Sequence, residues 1–153
     1  LARERKFDTW EAWRRSYTEP LRLDARAWTL YRIADPLRTV SRFRGGPFPT
    51  WIERIYGDAG PMPTFDVIAA KLVALGDGRA SSLKASFPRS TTVLGVLTDD
   101  GVVIIEGMHR CSAIALAAAD GTPIETDLSI ALGSYLPGGV PIIGKIYKHP
   151  PAP

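Results

Sequence analysis

The stretch VVIIEGMHRCSAIALAAAD, residues 102–120, sets the tightest limit on what this chain folds into. Four apolar residues run into Glu106-Gly107, and His109-Arg110 then open a run of small residues that closes at Asp120-Gly121. That pattern predicts a strand, a tight turn and a helix. Gly107 supplies the positive φ or close approach that such a turn requires. The first turn of the helix leaves backbone N–H groups without intrahelical partners, and its dipole end favours an anion, above all a phosphate.

A cation such as Arg110 at that end is unfavourable for the helix itself, because the end already carries roughly half a positive charge. It makes sense if an anion joins it. Arg110 offers bidentate donation to phosphate oxygens, His109 a hydrogen bond or a proton, and Ser112 a hydroxyl on the same turn. Gly107, Met108, His109, Arg110, Cys111 and Ser112 are therefore the expected phosphate-binding residues. Glu106 is placed to hold Mg²⁺ or act as a general base, with His109 as its catalytic companion. A purely structural alternative stands beside this one, in which Glu106 pairs with Arg110 and His109 is a satisfied, half-buried side chain. Cys111 reads as a small buried hydrophobe rather than a reactive thiol.

The surroundings predict the setting. Residues 91–97 and 102–105, joined by Thr98-Asp99-Asp100-Gly101, read as a β-hairpin that leads into the motif. Residues 27–33 and 126–132 alternate as strands, and residues 140–147 as a final one. A helix is expected from Phe65 to Leu75, with Thr64 as its cap, Phe65, Ile68, Ala69, Leu72 and Leu75 on one face, and Gly76 as its stop. Residues 49–56 read as a short helix capped by Thr50. Residues 57–63 and the polar stretch 77–90 read as loops, the latter offering Ser81, Ser82, Lys84 and Arg89 to a ligand or to water. Near the start, Asp8 caps a helix in which Trp10, Trp13 and Tyr17 form an apolar stripe, ended by Pro20.

With 153 residues, 45% hydrophobic and 23% charged, the chain suits one soluble domain with a full core. We divide it into an N-terminal helical extension over 1–26, a domain over 27–148 and a loose proline-rich tail over 149–153. No apolar run reaches the roughly 18 residues of a membrane span. One cysteine excludes an internal disulfide and suits a reducing interior, so the expected compartment is the cytoplasm. Residues 1–54 hold twelve Lys and Arg against seven Asp and Glu, and all four tryptophans. Such a segment either meets nucleic acid or forms a solvated basic face over an aromatic cluster.

Glu106-Gly107-Met108-His109-Arg110, followed by Ala113, Ala115, Ala117 and Ala118, resembles the (D/E)-G-x-H-R-x-x-A signature of the ParB/sulfiredoxin-like superfamily, nearest to the ParB-like nuclease and ParB N-terminal-like group. The resemblance covers about 30 residues. It implies an α+β fold, a small mixed sheet with packed helices, and a nucleotide site with His109 and Arg110 at the phosphates and Glu106 near a metal or the transferred group. Sulfiredoxin carries its reactive cysteine just before His-Arg; here Met108 stands there, which argues against sulfinic-acid reduction. The partitioning proteins of the group carry an arginine-rich motif and a helix-turn-helix domain for which this chain has no room. The free-serine kinases are nearer, with a second carboxylate upstream for which Asp35 and Asp66 are the candidates. The resulting expectation is a protein that binds ATP or a related nucleotide with Mg²⁺ and catalyses phosphoryl transfer to a small-molecule or protein acceptor, or nucleotide hydrolysis. The alternative is a non-catalytic, nucleotide-regulated module that docks nucleic acid or protein. A two-metal nuclease is disfavoured, because no suitable cluster of carboxylates is visible.

Overall fold

Three positions punctuate the centre of the chain. Gly101, Gly107 and Gly121 all take positive φ (107°, 102° and 75°), and they bound one strand and one helix in the computed structural model, which describes residues 18–144 together with Arg15. Strand β1 spans Trp28–Arg32, and a short helix α1 follows over Pro36–Val40. Next come the two-residue strand β2, Arg44–Gly45, and helix α2, Pro49–Trp51, which runs on through a π turn at Ile52–Tyr56. Helices α3 (Phe65–Leu75) and α4 (Gly78–Ala85) precede the hairpin of β3 (Ser90–Thr98) and β4 (Gly101–Glu106). Helix α5, Met108–Asp120, then leads to β5, Asp127–Gly133.

The five strands form one mixed sheet in the order β1-β5-β3-β4-β2. The outer pair β1/β5 is antiparallel, β5/β3 parallel, β3/β4 antiparallel and β4/β2 parallel. From β4 the chain crosses over through α5 and returns beside β3 on its other side. This is a single mixed α/β domain.

Helix α5 is its centre. Its apolar and small residues leave Met108, Ser112 and everything from Cys111 to Ala117 buried. Alanines permit that burial because they let neighbouring helices approach closely, and α1, α3 and α4 all pack against α5. On the sheet side it meets the face of β3 that carries Thr91 and Val93. Val93, Val96, Val103, Ile104, Ile114 and Leu128 are fully buried in the same core. Both ends of the described chain close over it. Leu21 and Ile143 are fully buried, and Ile143 N–H donates to Pro47 O at 3.1 Å.

The hairpin, α5, β1 and β5 fall where the sequence places them. Several other expectations need correction. Within the expected loop 77–90, Gly78–Ala85 form a helix instead, because Asp77 accepts from the N–H groups of Arg79 and Ala80 (both 3.1 Å) and starts α4, while residues 86–89 are irregular. Thr50 does not cap α2; Phe48 holds the N-cap position and Pro49 the first helical one, a place where its missing N–H costs nothing. Thr64 does sit at the N-cap of α3, but its hydroxyl donates to Asp66 instead of accepting from the helix. Leu75 is 60% exposed, off the buried face. Residues 57–59 form a 3₁₀ turn within the expected loop. Residues 140–144 form no strand. The N-terminal aromatic stripe at Trp10, Trp13 and Tyr17, residues 145–147 and the tail lie outside the described residues. Among the described residues no helix is long and apolar enough to cross a membrane.

Candidate functional site

Helix α5 begins on a glycine that nothing else could replace cheaply. Gly107 is left-handed, and a Cβ there would stand 2.5 Å from Val93 Cγ1. The tight turn lets β4 run directly into the helix, so the helix end lies against β3. Gly107 provides no side chain to cap the end, and the first intrahelical bond is Cys111 N–H to Gly107 O at 2.9 Å. The N–H groups of Met108, His109 and Arg110 are left for a ligand or water.

The motif side chains then divide between three directions. Arg110 turns back over the helix start. One of its Nη atoms donates to both carboxylate oxygens of Glu106, at 2.6 and 2.5 Å. The other donates to Thr91 Oγ1 (2.5 Å) and Thr92 O (2.9 Å) on β3. The structural alternative for this pair is thus realised, and Arg110 is committed to neighbours rather than open to an anion. Glu106 keeps an exposed carboxylate, 57% accessible, held at a fixed orientation beside the helix end.

His109 faces the other way. Its ring lies against Trp51, with centroids 5.1 Å apart and planes at 49°. Trp51 in turn contacts Tyr56, which is fully buried and donates to Gly46 O at 2.8 Å. Burial holds the His109 pKa below its ordinary value, and the Arg79 guanidinium on α4 pushes it further in the same direction, against an opposing pull from Asp77. The imidazole is therefore neutral at pH 7, with one donor nitrogen and one acceptor.

The remaining predicted contacts point inward. Met108 is buried, and its Sδ accepts from Gly46 N–H at 3.4 Å. Ser112 is fully buried, and its hydroxyl donates to Met108 O at 2.8 Å, so it contributes no group to the helix end. Cys111 is likewise fully buried, and burial pushes its thiol up to about 12, where no thiolate forms at neutral pH. The turn leaves exposed Glu106 on one side of the helix end and half-buried His109 on the other, with the backbone of residues 107–110 between them. Met108, Cys111 and Ser112 hold it in place from below.

Two partners of the corner were not read from the sequence. Trp51 and Arg79 lie far from the motif along the chain, and only the packing of α2 and α4 beside α5 brings them to His109. The capping pattern of Asp77 was the signal available for α4. Arg79 is a cation outside the described ion pairs. Asp35 and Asp66, the candidate second carboxylates, serve helix starts instead: Asp35 accepts from Arg38 N–H (3.1 Å) and Asp66 from Val67 N–H (2.9 Å). Among the described residues no three His, Cys, Asp or Glu side chains gather as a metal site.

No family model, curated protein or solved structure matches the chain. Several arginines of the basic first third prove to be structural. Arg26 donates to Leu21 O and Ser134 O, Arg44 to Asp100 O and Met62 O, and Arg32 pairs with Asp127 at 2.5 Å. Those uses reduce what the segment can offer a nucleic-acid backbone.

Proposed function

We propose that the chain binds a nucleotide, ATP or a relative, through its phosphates at the N-terminus of α5, in a domain of the ParB/sulfiredoxin-like type. The observation that carries this reading is the uncapped start of a thirteen-residue buried helix on left-handed Gly107, with His109 in its first turn and α4, which carries the cation Arg79, packed against it. In this scheme the N–H groups of Met108, His109 and Arg110 hold phosphate oxygens, and His109 donates a ring N–H to them. Arg79 supplies the charge that Arg110, tied to Glu106, does not.

Glu106 is the acidic group of the corner, and Arg110 fixes its direction. The activity proposed is phosphoryl transfer to a small-molecule or protein acceptor, or hydrolysis. Glu106 takes a proton from the attacking hydroxyl or water, and the helix end and Arg79 stabilise charge developing on the phosphate. Alternatively Glu106, instead of serving as base, would be the single protein ligand of Mg²⁺, with phosphates and water completing its shell. When bound, the ion would neutralise phosphate charge.

A second reading rests on Arg110. Two of its four hydrogen bonds hold both oxygens of Glu106 and the other two go to Thr91 and Thr92, so the carboxylate is already paired, which suits a site that binds a nucleotide without turning it over. Such a module would report nucleotide state to a protein or nucleic acid; steep loss of DNA or RNA binding with rising salt is the signature of the latter. Titration of ATP, ADP and CTP with Mg²⁺ against wild type, His109→Ala and Arg110→Ala tests both. Binding weakened in His109→Ala supports the site, and turnover separates the two readings. No binding by any of the three to a folded wild type sinks it.

A further inference from the structure

The two edges of the sheet differ. One is closed: β2 is only two residues long, and Arg44 forms a further bridge with Thr64. The other edge is β1, and all five of its residues, Trp28, Thr29, Leu30, Tyr31 and Arg32, are exposed. Leu30 is 68% accessible and Tyr31 51%. Exposed edge strands usually carry a guard such as proline, a bulge or a free charge. Here the β1 register with β5 is unbroken from Trp28 to Arg32, and the charge of Arg32 is taken up by Asp127.

The hydrogen-bond phase of the strand settles which groups are free. Ala27 O accepts from Ser134 N–H, and Ile33 N–H donates to Leu128 O, so residues 27, 29, 31 and 33 face β5. By alternation, the N–H and C=O groups of Trp28, Leu30 and Arg32 face outward. Three outward residues centred on Leu30 are self-complementary. Antiparallel pairing of two copies about Leu30 sets Leu30 against its counterpart, and Trp28 against Arg32 in both directions. All three then fall in hydrogen-bonded pairs. Leu30 meets an identical apolar side chain, and each guanidinium, its edge still paired with Asp127, lays its face on an indole whose N–H donates to Leu23 O.

We propose that β1 pairs antiparallel with β1 of a second copy of this chain, joining the two sheets into one ten-stranded sheet about a twofold axis at Leu30. The match of Trp28 to Arg32 fixes both the register and the occupant: a strand of unrelated sequence would satisfy the backbone but not those two pairs. The interface is isologous, as a twofold contact must be. A five-residue strand buries less than the roughly 800 Å² per partner of a standard interface, so the dimer is a weak one, with Kd of micromolar order. It forms away from the α5 corner and stands independently of the nucleotide reading.

Sedimentation of the full chain over a concentration series, with Leu30→Lys in parallel, tests the pairing. We expect wild type to pass from monomer to dimer and Leu30→Lys to remain monomeric at least ten times higher in concentration. Register is read by Leu30→Cys. A hydrogen-bonded antiparallel pair sets the two Cα atoms about 5.5 Å apart, well within the span of a bifunctional maleimide, and buried Cys111 does not compete. Treated with that reagent, Leu30→Cys should run as a cross-linked dimer, while Leu97→Cys, 41% exposed on an inner strand, should not. A wild type that stays monomeric up to about 1 mM, well above a micromolar Kd, overturns the proposal. So does a wild-type dimer in which Leu30→Lys dimerises equally well, or one that Leu30→Cys fails to cross-link.

Discussion

Arg110 and Glu106 stand four residues apart across the strand-to-helix turn, and a single Nη of the arginine donates to both oxygens of the carboxylate. The pair spans the strand-to-helix turn, with Glu106 on β4 and Arg110 on α5, and the second Nη ties the turn to β3. The arginine therefore acts as a brace for the corner and aims the acid.

That brace is unequal in its two halves. Glu106→Ala removes an exposed partner and should cost about 0.5 kcal/mol, as surface pairs do. Arg110→Ala also leaves Thr92 O and the Thr91 hydroxyl without their donor and should cost about 1–2 kcal/mol. Urea denaturation of both variants and the double variant measures this. Equal losses would mean that the bonds to β3 contribute nothing.

Gly107→Ala should destabilise far more than Gly101→Ala. Both positions have positive φ, which costs about 1 kcal/mol for alanine, but space is open around Gly101 while Val93 blocks the new methyl at Gly107. The clash adds about 1–3 kcal/mol. A difference of less than about 0.5 kcal/mol between the two variants, near the error of such comparisons, would show that Val93 yields freely.

What was legible in the sequence follows from how local its cause is. Strand alternation and glycine punctuation act within a few residues, so the hairpin, Gly107 and α5 could be read directly. The Glu106–Arg110 pair is likewise local, four residues apart across the turn. Helix α4 escaped because only Ala80 of its eight residues is buried, leaving no apolar stripe, and its start depends on the Asp77 carboxylate. The exposure of Leu75 and the inward turn of Ser112 depend on which neighbours α3 and α5 meet, and so does the seat of His109 on Trp51. Periodicity carries none of that. Of the candidate site, the turn and its acid were legible, but its cation, Arg79, was not.

Protonation of His109 should weaken the fold. Its folded-state pKa lies below the unfolded value near 6.5, so the unfolded chain binds the proton more readily. Stability is then fully present above about pH 6.5 and falls as the pH drops toward the folded-state pKa. His109→Gln should flatten that slope. Arg79→Ala should raise the His109 pKa and Asp77→Asn lower it, read by NMR titration of the ring. A pKa unmoved by either change would place His109 away from α4.

Cys111 should resist thiol reagents in the native protein. Its sulfur is fully buried and its pKa is pushed up to about 12. Labelling should proceed only through opening of the fold and accelerate with denaturant. Rapid labelling without denaturant would show that the α5 helix is more open than its packing implies.

The central claim is that phosphate groups sit on the open start of α5, and backbone amide mapping tests it most directly. On addition of ATP with Mg²⁺, the amide signals of Met108, His109 and Arg110 should shift together with the His109 ring and the Arg79 guanidinium. The shifts should saturate and be lost in His109→Ala. Shifts confined to other surfaces, or none at millimolar nucleotide with the fold intact, would contradict the account.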